Sequence, residues 1–127
     1  MNRRIIFFIM VLKSCIVLSS PVIQVRTSHY DFKTIYENTN AIVSFKIKNI
    51  GSDTLIISKI YTTCSCTTYK CNNNTIAPNQ EINLVIRYHA VFLGAFKESI
   101  IICSNASQKP LFLKIRGKVK KRKETTL

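Results

Sequence analysis

Three stretches of this chain alternate between apolar and polar residues, and a period of two admits only one kind of local structure. Ala41, Val43, Phe45 and Ile47 fall on one side of the first run, with Ser44, Lys46 and Lys48 on the other. Ile82, Leu84, Ile86 and Tyr88 repeat the pattern against Asn83 and Arg87, and Leu111, Leu113 and Ile115 repeat it against Lys114 and Arg116. A helix returns to the same face every third or fourth residue and a strand every second, so these runs are half-buried strands. Outside the first twenty residues no segment sustains a helical period.

Further strands are expected at 29–35, 54–63 and 96–104. The apolar triplets Leu55-Ile56-Ile57 and Ile100-Ile101-Ile102 suit strands covered on both faces. Turn chemistry separates them: Tyr36-Glu37-Asn38-Thr39-Asn40, Asn49-Ile50-Gly51-Ser52-Asp53, Pro78-Asn79-Gln80 and a turn at 91–94. Residues 67–74, polar and holding Cys71, read as a loop or a short edge strand. Residues 21–28 read as a flexible lead-in. Six to seven short strands with regular turns predict an all-β, Ig-like antiparallel β-sandwich over residues 21–119. A basic tail, 120–127, is expected to be disordered.

Residues 1–20 have the anatomy of a secretory signal. Arg3 and Arg4 precede an apolar run at 5–12, and Val17 and Ser19 suit cleavage near Ser19. The run is shorter than the ~20 apolar residues of a membrane-spanning helix. An uncleaved anchor is the alternative, as is lipid on Cys15, because Leu12-Lys13-Ser14-Cys15 partly resembles a lipoprotein cleavage box. The chain is therefore expected to be exported to periplasm, outer membrane or medium.

The formal charge is +13, from 19 basic and 6 acidic residues. Part of it reflects an Ile-, Lys- and Asn-rich composition that AT-rich codons favour. The densest cluster is at the end, where Lys118, Lys120, Lys121, Arg122 and Lys123 form a candidate binding surface for anionic lipid, an envelope polymer or an envelope protein. Export argues against nucleic acid as the partner. The acids Asp31, Glu37, Asp53, Glu81, Glu98 and Glu124 are spread thinly, and no serine elbow or glycine-rich phosphate loop occurs. No enzyme and no cofactor are expected.

Several short signatures stand in order along the chain. Asp31-Phe32 and Ile35 open it. Asn49-Ile50-Gly51 with Leu55-Ile56-Ile57 resembles the turn of Ig-like domains of the abnormal-spindle/hydin type. Cys64-Ser65-Cys66-Thr67 resembles the Cys-Gly-Cys-Thr signature of a family of secreted Bacteroidota proteins known as a domain of unknown function. Pro78-Asn79-Gln80, Gly94-Ala95-Phe96, Ser104-Asn105 and Ile115-Arg116-Gly117 follow that family's pattern. The resemblance covers about residues 29–119 and implies an Ig-like sandwich, export and no established activity. Lys33, Ser65 and Asn79 stand where the family has glycine.

Four cysteines remain beyond the leader: Cys64, Cys66, Cys71 and Cys103. Export and an even count suggest disulfides. Laid out as an immunoglobulin sandwich, Cys103 falls near Leu55, about 25 Å from Cys64 at ~3.3 Å per residue, so it is expected to be a buried free thiol. A local bridge from Cys64 or Cys66 to Cys71 is the favoured pairing, adding roughly 2–3 kcal/mol. The alternative function is soft-metal handling, with Cys64, Cys66 and Cys71 as thiolate ligands to Cu or Zn. A redox role is disfavoured, because the pair has no helix N-terminus to acidify a thiol.

Overall fold

The computed structural model describes residues 19–123. Every regular element among them is a strand: β1 (Ile23–Val25), β2 (His29–Tyr36), β3 (Asn40–Asn49), β4 (Leu55–Thr62), β5 (Thr67–Cys71), β6 (Thr75–Ile76), β7 (Glu81–His89), β8 (Gly94–Ser104) and β9 (Ser107–Lys120). They form two packed sheets, ordered β1-β3-β7-β5 and β2-β9-β8-β4-β6. The expected Ig-like sandwich is therefore present. The signal-like segment and Cys15 lie outside the described residues.

The alternating runs do what their period requires. In β3 Ala41, Phe45 and Ile47 are buried while Ile42, Ser44 and Lys46 are exposed. The inner faces of the two sheets meet through Ile47, Leu84, Ile86, Ile100, Ile102 and Leu113, all essentially closed to solvent. Tyr88 and Phe96 stack across the sheets with ring centroids 3.9 Å apart. Gly117 makes room for that stack, because a Cβ there would lie 2.8 Å from the Phe96 ring.

Of the two readings of 67–74, the short edge strand is the one formed, β5, paired with β7. Two details depart from the expectation. The lead-in is not free, since Ile23–Val25 pairs with Asn49–Ile47 as strand β1. One neighbour pair, β2 and β9, runs parallel, with a register break between Asp31 and Thr34. Lys33 in that break has φ 60°.

Asn49 holds one end of the sandwich together. It is fully buried. Its Nδ2 donates to the carbonyls of Asp53 (2.7 Å) and Ile76 (2.9 Å), and its Oδ1 accepts from the amides of Gly51 (3.0 Å) and Val22 (3.3 Å). Its backbone amide donates to Gln80 and its carbonyl accepts from Asn79. Gly51 is crossed so closely by Ser20 and Val22 that a Cβ would meet their backbone atoms. We call this end proximal. The distal end carries the 37–39 turn, the 90–93 loop and residues 121–123.

Asn49→Ala would strand four backbone groups at once. We expect it to cost ~3 kcal/mol or more in chemical denaturation. Asn49→Asp, which keeps the shape and loses both N–H donors, should cost a comparable amount at neutral pH.

Candidate functional site

The chain passes from one sheet to the other between β4 and β5, and the cysteine pair lies in that crossover. Thr62 Oγ1 stands between the carbonyls of Cys64 (3.2 Å) and Thr67 (3.0 Å), either of which can accept its one hydroxyl hydrogen, and the Thr67 amide donates to the Cys64 carbonyl (3.1 Å). The far side is held by the His89 amide on the Cys66 carbonyl (2.9 Å). Within this tight turn Cys64 and Cys66 are bonded to each other, Cα atoms 5.3 Å apart. Ser65 is not among the residues with positive φ, whereas Lys33 and Asn79 are, at 60° and 65°. The serine thus fits its turn without glycine's freedom.

The bridge to Cys71 is not formed. Cys71 is a free thiol at the end of β5, opposite Leu84, and its Sγ donates to the Asn73 carbonyl. A strand rises ~3.3 Å per residue, which puts Cys71 about 16 Å beyond Cys66, outside disulfide range. The same spacing disassembles the expected three-thiolate metal site. The Cys64 and Cys66 sulfurs do lie within 4.8 Å of a Glu98 carboxylate oxygen. Both sulfurs are spent on their own bond, however, and Glu98 accepts from Thr63 Oγ1 at 2.7 Å. His29 pairs with Ser28 (2.8 Å) and His89 with Asn40 (3.0 Å), away from the cysteines.

Cys103 is free, as expected, but it is half-buried and pairs with Lys59 rather than facing Leu55. It lies 3.5 Å from the Tyr61 hydroxyl, a contact that pushes the Tyr61 phenol above its ordinary pKa. The Tyr88 phenol is pushed up by burial and secondarily by Glu98.

On the outer face of the second sheet, Asp31 is held by three donors. The Lys33 amide donates to its Oδ1 at 2.8 Å, while Arg116 Nε and Lys33 Nζ stand 3.2 and 3.7 Å from Oδ2. The Lys33 backbone hydrogen bond is the main influence holding its carboxyl below the usual range; burial opposes it, and the charges of Lys33 and Arg116 add to the lowering. Beside it runs an open groove of about 620 Å³ whose lining includes His29, Lys97 and Lys114.

The basic cluster is at the distal end. Lys118 and Lys120 are exposed on β9, which runs through Lys120, and Lys121, Arg122 and Lys123 follow it, also exposed. Next to them stands a feature that reads in the sequence only as a turn: Val91, Phe92 and Leu93 are 48%, 73% and 57% exposed. Three consecutive apolar residues in a turn are the signal that could have found it.

A family model described as "Protein of unknown function (DUF1573)" matches residues 23–119. Among solved structures, a protein of unknown function from Porphyromonas gingivalis W83 is 15% identical with TM-score 0.69, over 79% of this chain and 47% of that one. The ASH/PapD-like domain 7 of human CEP192 is 11% identical with TM-score 0.63, over 83% of this chain and 89% of that one. The VesB protease of Vibrio cholerae is 10% identical with TM-score 0.59, over 78% of this chain and 32% of that one. The chain thus spans about half the length of the Porphyromonas protein. At these identities the likeness is one of fold. No curated protein matches the sequence.

The geometry fixes what two sets of substitutions should do. A bridge between residues two apart closes so small a loop that Cys64→Ser with Cys66→Ser should cost only about 1.6 kcal/mol in denaturation. Asp31, whose pKa is lowered in the folded state, contributes stability that is present above the ordinary carboxylate value. That contribution is lost as pH falls through the lowered one. Asp31→Asn should therefore flatten the acid limb of a pH–melting profile.

Proposed function

The chain belongs to the DUF1573 family, whose function is unknown, and we propose that it is an exported, non-catalytic Ig-like module of the bacterial envelope that acts by binding. The Cys64–Cys66 disulfide is the observation that carries this reading. Disulfides persist in oxidising compartments and are rare where thiol reductants are abundant. The signal-like 1–20 segment and the resemblance to secreted Bacteroidota proteins point the same way.

Binding rather than catalysis is supported by how the inward and clustered acids are used. Glu98 is tied to Thr63, and Asp31 is neutralised by Arg116 and Lys33, so each already has a structural partner. The basic distal end and the outer face of the second sheet are the surfaces left for a partner, an envelope protein, lipid or polymer.

Intact mass of the protein recovered from the producing cell's envelope, with and without reduction and thiol alkylation, tests this. A chain starting near Ser20 with two alkylatable thiols, Cys71 and Cys103, is expected before reduction. Lipid on Cys15 or a retained leader would make the module membrane-anchored. A chain that keeps its leader and exposes Cys64 and Cys66 as free thiols would overturn export.

A further inference from the structure

We infer that the distal end is a membrane-docking tip: Val91, Phe92 and Leu93 enter the interfacial region of an anionic bilayer while the surrounding cations engage its headgroups. The inference deepens the binding module proposed above and rests on that reading for its setting.

The tip differs from the other turns of the fold. The 49–53 turn at the proximal end is mostly polar, with Asn49, Gly51, Ser52 and Asp53 around a single exposed apolar side chain, Ile50. The distal connection instead presents three consecutive apolar side chains, with Phe92 73% exposed. The loop is pinned where it leaves the core. Ala90 is fully buried, its amide donates to the Thr39 carbonyl (3.0 Å), and its carbonyl accepts from the Asn38 amide (2.8 Å). Outward presentation of 91–93 is thus a consequence of the fold.

Register then places the charge. Gly94 pairs with Val119 and Ala95 with Lys118, so the loop emerges beside the end of β9. The Glu37 amide donates to the Lys120 carbonyl at 3.0 Å, which fastens the neighbouring turn to the same point. Tyr36, half-exposed, lines a shared depression with Lys120, Lys121, Arg122 and Lys123. Against these cations the adjoining turn offers one carboxylate, Glu37.

An apolar point beside a cluster of cations matches a surface that is anionic at the rim and apolar beneath, which is an anionic lipid bilayer. A second copy of this end would bring like-charged clusters together and be repelled. An acidic polymer would satisfy the cations and leave Phe92 in water. The lead-in passes Ser20 at the proximal end, where the Ser20 carbonyl accepts from the Ser52 amide. The ten residues of β3 separate the two ends by about 30 Å at ~3.3 Å per residue. The tip thus stands at the end opposite the point where the lead-in joins the sandwich.

The chain contains no tryptophan, so Phe92→Trp gives a single reporter at the tip. Using the protein as recovered from the envelope, its emission should shift to the blue with vesicles containing phosphatidylglycerol. Pure phosphatidylcholine should produce no shift. Phe92→Asp should weaken sedimentation with the anionic vesicles about tenfold at an unchanged melting temperature. Lys121→Gln, Arg122→Gln and Lys123→Gln together should weaken it about a hundredfold, and added salt should weaken the native protein. An unshifted emission from the Phe92→Trp variant, equal binding to both vesicle types, or full binding by Phe92→Asp would overturn the inference. So would retention on an acidic polysaccharide with no anionic-lipid response. A cleaved chain with its disulfide intact that ignores vesicles would overturn the docking tip alone, whereas a retained leader and reduced pair would overturn export alone.

Discussion

One buried amide sets the geometry at the proximal end. A side-chain amide closed to water must find partners for both of its ends. Asn49 finds them in four backbone groups: the lead-in at Val22, the turn at Gly51 and Asp53, and β6 at Ile76. Without it the buried Ile76 carbonyl would lose its partner, as would the part-buried groups of Val22, Gly51 and Asp53. The amide therefore does for the loops what ladder hydrogen bonds do for strands. It also explains the glycine two residues on, because the lead-in can reach Asn49 only by crossing directly over Gly51.

The distal end is organised by packing instead. Tyr88 and Phe96 stack face to face, Phe32 adds a third ring 6.5 Å from Phe96, and Gly117 leaves the space they fill. Between Phe96 and Ile100, Glu98 points inward, which an apolar core would not tolerate alone. The crossover resolves the conflict, since Thr63 donates to Glu98 just where β4 has ended and water reaches the carboxylate. The disulfide sits against this polar notch as a small local clamp, while the apolar core carries the stability of the sandwich.

Period two made the long strands legible, because one inward-facing side chain in two is a local property of the sequence. Phe45, Ile47, Leu84, Ile86 and Leu113 were identifiable as core for that reason. The lead-in strand β1 was not, since it is ordered by β3, far away in sequence, and 67–74 was legible only as a loop or a short edge strand, because its pairing with β7 decides between them. The parallel pairing of β2 with β9 is likewise a property of the assembled sheet. Among the cysteines, the separation of Cys103 from Cys64 was readable from strand spacing. The Cys64–Cys66 pairing was not, because it depends on the crossover turn. The glycine-pattern departures divide on the same ground: Lys33 and Asn79 occupy left-handed backbone where glycine is favoured, and Ser65 does not.

The two ends consequently carry different chemistry for different physical reasons. At the proximal end polar turn residues are needed to satisfy backbone groups around Asn49, so their identity is explained by folding. At the distal end the backbone groups of Ala90, Asn38 and Glu37 are already paired, and of residues 90–93 it is Ala90 that is buried in the core. Folding makes no demand on Val91, Phe92 or Leu93, and placing apolar side chains in water offers the monomer nothing. Residues that folding does not require, set beside cations that folding does not require, are where a surface has been shaped by what it touches.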